Sequence, residues 1–159
     1  MITALDCYSK YGDPFTNKSN MVLWDVPSDI EIGLIPKKIY CNNDLIAPLL
    51  ASFIKLIETG CVRELKTYDG CYNVRVIRGY EKKYQLLKMQ GLHEQANRLM
   101  SIHSWGVAID LNAFENQLNQ TPKLSTGFVN CFKESGFDWG GDFKRKDGMH
   151  FQLSKLPLS

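Results

Sequence analysis

Two short stretches constrain this chain more than anything else in it. The first is Ser101-Ile102-His103-Ser104-Trp105-Gly106-Val107-Ala108-Ile109-Asp110-Leu111-Asn112; the second is Asp147-Gly148-Met149-His150-Phe151-Gln152-Leu153. In the first, Val107, Ile109 and Leu111 alternate with Gly106, Ala108, Asp110 and Asn112. That is the period of a strand with one face in the core. In the second, Met149, Phe151 and Leu153 are predicted to face the core, with His150 and Gln152 facing away. Two strands of one sheet would then carry Asp110 and His150 on one polar face.

The two stretches together offer His103, Asp110 and His150. Two imidazoles and a carboxylate, with a fourth position left for water, make the composition of a catalytic zinc site. Asp147 is then the candidate general base. His103 cannot share the extended strand. Seven residues at about 3.3 Å each would put it about 23 Å from Asp110. The chain must fold back between them, and Ser104-Trp105-Gly106 is the place, because glycine tolerates the backbone angles of a tight bend. Asp147-Gly148 allows a turn before the last strand. Any one of these residues alone reads as a surface or core residue. The metal reading rests on their conjunction: two of the chain's three histidines fall here, each beside an alternating strand and a carboxylate.

The rest of the chain reads as scaffold. Residues 7–36 are rich in Gly, Pro, Asn, Asp and Tyr and suggest an irregular arm with short extended pieces such as Met21–Val26. Trp24 reads as a packing residue. Asn42 or Asn43 can cap a helix beginning near Asp44. Leu45, Ile46, Leu49, Leu50, Phe53, Ile54 and Ile57 would form its apolar face, and Gly60 its stop. Residues 61–77 read as extended structure with a turn or bulge at Asp69-Gly70, ending near Arg75 and Arg78. Residues 80–100 favour helix, interrupted at Gly91, with His93 exposed. Ser125 or Thr126 opens a last helix that Gly136 ends, and 137–143 form a turn into the final strand. Lys144-Arg145-Lys146 is a basic run that could attract carboxylates. Five cysteines, an odd number without C-x-x-C spacing, indicate free thiols rather than a disulfide framework.

Ser101-x-His103-x-x-Gly106-x-Ala108-x-Asp110, followed by Asp147-x-Met149-His150-Phe151, resembles the signature of the zinc D-alanyl-D-alanine and L-alanyl-D-glutamate peptidase family. The hedgehog signalling domain shares that family's zinc-binding fold. The segment Glu134 to Phe143 is similar to the family's phage-lysin branch, which typically carries Trp where this chain has Phe143. The likeness covers roughly residues 61–153. It implies one zinc ion held by His103, Asp110 and His150, with Asp147 as base. It also implies an arginine before the first zinc motif that stabilises the tetrahedral intermediate, Arg75 first and Arg78 second.

The expected fold is therefore α+β: a small, mostly antiparallel sheet packed against helices, with the zinc site on the sheet's polar face. At 159 residues and 44% hydrophobic, one domain over 1–159 is expected, residues 1–40 being an arm packed on it, with no separate wall-binding domain. The expected activity is a zinc metallopeptidase of peptidoglycan stem peptides, of the phage-endolysin type, cutting the L-alanyl-D-glutamate bond. D-alanyl-D-alanine carboxypeptidase action is the alternative. A non-catalytic wall-binding or virion module that keeps the fold is an alternative of another class. A net charge of +2 gives no case for nucleic acid. No run approaches 18 apolar residues and the N-terminus lacks a signal pattern. The chain is expected to be monomeric, made in the host cytoplasm, and active at the wall after release.

Overall fold

The computed structural model describes residues 1–158. Its elements are α1 (Ala4–Tyr11), β1 (Met21–Asp25), β2 (Lys38–Asn42), α2 (Ile46–Thr59), β3 (Tyr68–Gly70), α3 (Glu81–Met89), α4 (His93–Asn97), β4 (Ala108–Leu111), α5 (Thr126–Lys133), β5 (Phe137–Trp139) and β6 (His150–Leu153). β1 and β2 form an antiparallel ribbon. The other four strands form one antiparallel sheet in the order β3-β4-β6-β5. The α+β class read from the sequence is the class observed.

The alternation in the two motif stretches does what its period requires. Val107, Ile109, Leu111, Phe151 and Leu153 are all buried. β4 and β6 pair so that Asp110 lies opposite His150. Behind the sheet, α5 inserts Phe128 and Phe132. The Phe132 ring lies 4.5 Å from Phe151 and 5.6 Å from Phe137, centroid to centroid. Burying each such ring stabilises the fold by about 1.5–3 kcal/mol. Ser125 caps α5 by accepting from the Phe128 amide. α2 packs on α5, and its Phe53 stacks on Trp24 of β1 at 6.4 Å. Trp24 is thus a packing residue. Gly60 ends α2 in the left-handed conformation at φ +78°. Asn42 caps the 3-10 turn Asn43–Leu45 that leads into α2, accepting from the Asp44 amide.

Several expectations need correction. Residues 1–40 are not simply an irregular arm, since residues 4–11 form α1 with a complete capping box between Thr3 and Asp6. Helix formation here is driven by that cap and by burial of Ala4, Cys7 and Tyr11. Residues 61–77 are not continuously extended. They comprise a 3-10 turn (Cys61–Glu64), the three residues of β3, and an irregular run with a single bridge from Val76 to Met100. Residues 137–143 are more than a turn. They contain β5, which pairs with β6, followed by a 3-10 turn. Met149 lies just before β6; it is buried, and it also lines a cleft. All five cysteines are free; burial pushes the Cys7 and Cys41 thiols up to about 12, as inert packing groups. No helix among the described residues is long and apolar enough to cross a membrane.

Candidate metal centre and active-site cleft

His103 reaches the sheet because the chain folds back where expected. Residues 102–105 form a 3-10 turn, and Gly106 closes it at φ +69°. A side chain at Gly106 would be doubly excluded. Its Cβ would lie 2.7 Å from the Met21 side chain and 2.8 Å from the Asn42 amide. The N-terminal elements back this turn. Trp105 Nε1 donates to the Gly12 carbonyl at 2.9 Å, and its ring meets Tyr8 edge-on at 4.9 Å. Asn42 Nδ2 donates to the Trp105 carbonyl at 3.0 Å.

Three ligand atoms converge. His103 Nε2 is 3.1 Å from Asp110 Oδ1 and 3.2 Å from His150 Nδ1, and His150 Nδ1 is 3.4 Å from Asp110 Oδ1. Both imidazoles are buried. The remaining nitrogen of each ring faces an acceptor. His103 Nδ1 donates to the Cys71 carbonyl at 2.7 Å, and His150 Nε2 donates to Gln152 Oε1 at 2.8 Å. Each neutral ring then turns a lone pair toward the other and toward a carboxylate oxygen. Three acceptors with no proton among them repel unless a cation joins them. Zinc bonds of about 2.0–2.1 Å imply tetrahedral edges of about 3.3 Å, close to the three distances here. The donor set fits a zinc ion, and carbonyl or amide partners behind the imidazoles are what a metal-binding histidine requires.

The electrostatics carry the same sign. With no cation bound, burial pushes the Asp110 carboxyl up, but hydrogen bonds and charge from His103 and His150, when those rings carry a proton toward it, outweigh burial and hold Asp110 well below the usual range. Burial pushes His150 down, yet Asp110 and then Asp147 draw it above its ordinary value. Both shifts answer one deficit of positive charge.

A cleft of about 300 Å³ opens over this triangle. Asp147, Arg75 and Arg78 line it, as do Ser101, Arg145, Phe143 and Met149. Burial first, then the charge of Asp110, raises the Asp147 carboxyl above the usual value, against the pull of both histidines and Arg75. Arg75 is half-buried, and Arg78 is exposed. Arg75 does not end a strand. Its backbone runs beside the motif turn, where the Ser104 hydroxyl accepts from the Arg75 amide and donates to the Arg75 carbonyl, both at 3.1 Å. Arg75 Nε is buried without a partner. Burial, then the charge of Arg78, lowers the Arg75 pKa. His93 lies away from the cleft, against Lys88. Trp139 lies behind it, donating to the Gly148 carbonyl at 2.8 Å and so bracing the Asp147 turn.

Sequence reading missed three contributors. Gln152 alternates with His150 on one strand face, so its position was visible but its partner was not. The Cys71 carbonyl is backbone and leaves no side-chain signal. Gly140 accepts from the Asp147 amide at 2.9 Å through its carbonyl, and a Cβ there would lie 2.2 Å from the Asp147 carbonyl oxygen. Gly140→Ala should therefore displace the Asp147 turn. A destabilisation of about 1–3 kcal/mol in chemical denaturation is expected, together with lost turnover; unchanged stability and rate would contradict this packing. Gln152→Leu, close in volume, removes only the acceptor. It should weaken zinc affinity by about 10–100-fold in a chelator competition.

No curated protein and no solved structure matches the chain. A family match does exist, and it bears out the likeness carried by the two motifs. It spans just over a third of the chain, including His103, Asp110, Asp147 and His150 but neither Arg75 nor Arg78. Over residues 94–153 the chain matches the model of the D-alanyl-D-alanine carboxypeptidase family, a family of zinc peptidases.

Proposed function

We propose that this chain is a zinc-dependent peptidase that hydrolyses a peptide bond in bacterial peptidoglycan stem peptides. The observation that carries the reading is the triangle of three acceptor atoms 3.1–3.4 Å apart, each histidine held in the tautomer that aims a lone pair inward. His103, Asp110 and His150 would hold the ion. Zinc there supplies Lewis acidity and a nucleophile usable at neutral pH. Asp147 takes a proton from the attacking water and returns it to the leaving amine. Arg75 donates to the oxyanion that develops at the reacting carbonyl. It is preferred over Arg78 because it is the more enclosed and its Nε lacks any protein partner. A donor aimed at developing charge is worth about a hundredfold or more in rate.

The likeness of Glu134–Phe143 to phage lysins supports the L-alanyl-D-glutamate bond and a role in wall lysis. The family match, by its description, favours a second reading, removal of the terminal D-alanine. Purified wall fragments digested with the protein, with and without a chelator, test both. Zinc-dependent new amino termini on glutamate support the first bond; free D-alanine supports the second. Release of neither, by protein shown to contain zinc, overturns the peptidase reading.

A further inference from the structure

Helix α3 is apolar on both of its sides. Inward, Tyr84 packs against the core and Leu87 is half-buried. The helix rests chiefly on α4, and none of its residues is fully buried. The outward face of such a helix is ordinarily polar. Here Lys82, Leu86 and Met89, at steps of four and three, share that face. Leu86 is 57% exposed and Met89 84%. The turn after the helix adds a third apolar side chain. Gly91 takes φ +75°, and the Leu92 amide donates to the Leu87 carbonyl at 2.9 Å, which folds Leu92 back against the end of α3. Leu92 is still 40% exposed. Single surface leucines need no explanation, but three long apolar side chains grouped at one helix end point to something that covers them.

Positive charge surrounds this patch. Residues 78–98 carry five basic and two acidic side chains, a net +3, whereas the whole chain carries +2. The basic excess of the molecule is therefore concentrated here. Both acidic groups are engaged: Glu81 accepts from the Gly79 amide at 2.9 Å, and Glu94 pairs with Arg98 at 3.3 Å. Lys82 and Lys83 are exposed and, among the described residues, form no ion pair. Lys88 lies over the Tyr84 ring at 5.8 Å, also without a carboxylate partner.

We propose that the outer face of α3 and the turn after it, Leu86, Met89 and Leu92 flanked by Lys82 and Lys83, docks on an anionic lipid bilayer. The lysines are drawn to the headgroups, and the aliphatic tips enter the boundary between headgroups and acyl chains. A polyanion of the wall would engage the lysines but would give Leu86 and Met89 nothing to bury against. Docking is peripheral, since no helix among the described residues is long and apolar enough to cross a membrane. It also concerns the cleft. Arg145, which lines the cleft, lies over the ring of Tyr80, the residue that starts α3, at 5.7 Å. A docked molecule thus keeps its cleft near the bilayer surface.

Co-sedimentation of the full-length protein with vesicles tests this. Wild type should bind vesicles of mixed phosphatidylglycerol and phosphatidylcholine and ignore pure phosphatidylcholine. Binding should weaken as salt is raised to about 1 M, where the screening length falls to about 3 Å. Lys82→Gln with Lys83→Gln should weaken binding by about tenfold or more, each lysine at an anionic surface contributing about fivefold. Leu86→Ser with Met89→Ser should weaken it by about tenfold as well. Both pairs are exposed, so both variants should keep the wild-type melting temperature. Lys37→Gln with Lys38→Gln, a basic pair exposed elsewhere, should leave binding unchanged. Wild type that does not bind the anionic vesicles overturns the proposal. Equal losses from the two lysine pairs also overturn it, because net charge alone then attracts the lipid. A loss with Lys82 and Lys83 but none with Leu86 and Met89 assigns the face to a polyanion and overturns the bilayer. None of these readouts depends on turnover, so the docking face stands or falls apart from the peptidase reading.

Discussion

His150→Ala protein should emerge from purification without zinc and without wall-digesting activity. The substitution removes one corner of the triangle and leaves His103 and Asp110 as a two-point site, too few protein ligands for a catalytic zinc centre. Elemental analysis beside a digestion assay reads both losses, and zinc added to excess should not restore turnover. The metal-free protein offers an independent check through pH. Asp110 has a folded-state pKa below its unfolded value. It therefore stabilises the fold above the ordinary carboxylate range near 3.9, and that contribution is lost as pH falls toward the depressed folded value. Without His150 the depression weakens. The acid loss of stability in metal-free His150→Ala should be shallower than in metal-free wild type. Full zinc content and normal digestion in this variant would end the ligand assignment.

Asp147→Asn should separate binding from chemistry. Zinc content should stay at the wild-type level, because Asp147 is not a corner of the triangle. Turnover should fall by about 10²–10⁴-fold, the usual contribution of a positioned acid–base group. Stability should move the other way. The folded-state pKa of Asp147 is raised, first by burial. Its carboxyl favours the fold fully below the unfolded value near 3.9, and that support is lost as pH rises through the raised folded value. At neutral pH the buried charge is a cost, which asparagine removes. Metal-free Asp147→Asn should melt higher than metal-free wild type at pH 7, and the gap should close in acid. An active Asp147→Asn protein would refute the base assignment, while a lower melting temperature would show that the carboxylate holds the loop instead.

Much of this site was legible because its signals are local. Strand alternation in 106–112 and 149–153 is a period-two pattern, and it survives folding because one face must be buried. The bend at 104–106 was required by reach alone, and glycine made it possible. The stretches that were misread lacked that kind of constraint. Helix α1 depends on a cap between Thr3 and Asp6 and on tertiary burial of three residues, not on a long amphipathic run. The segment carrying Arg75 has apolar residues enough for a strand. Its neighbour, however, is the motif turn and not a sheet edge, so it pairs at Val76 and is otherwise held by Ser101 and Ser104.

The linear sequence by itself determined the candidate ligand residue types, the two strands that carry Asp110 and His150, and the fold class. Periodicity, turn chemistry and donor identity are properties of neighbouring residues. Only the tertiary structure decided which lone pair each imidazole presents, because the acceptors that set it, the Cys71 carbonyl and Gln152, act through pairing across the fold. It alone also brought Arg75, Arg78 and Arg145 around one cleft from segments some seventy residues apart. Charges that distant along the chain acquire a joint meaning only when packing brings them to the walls of one cleft, where they lie close enough to act on one another.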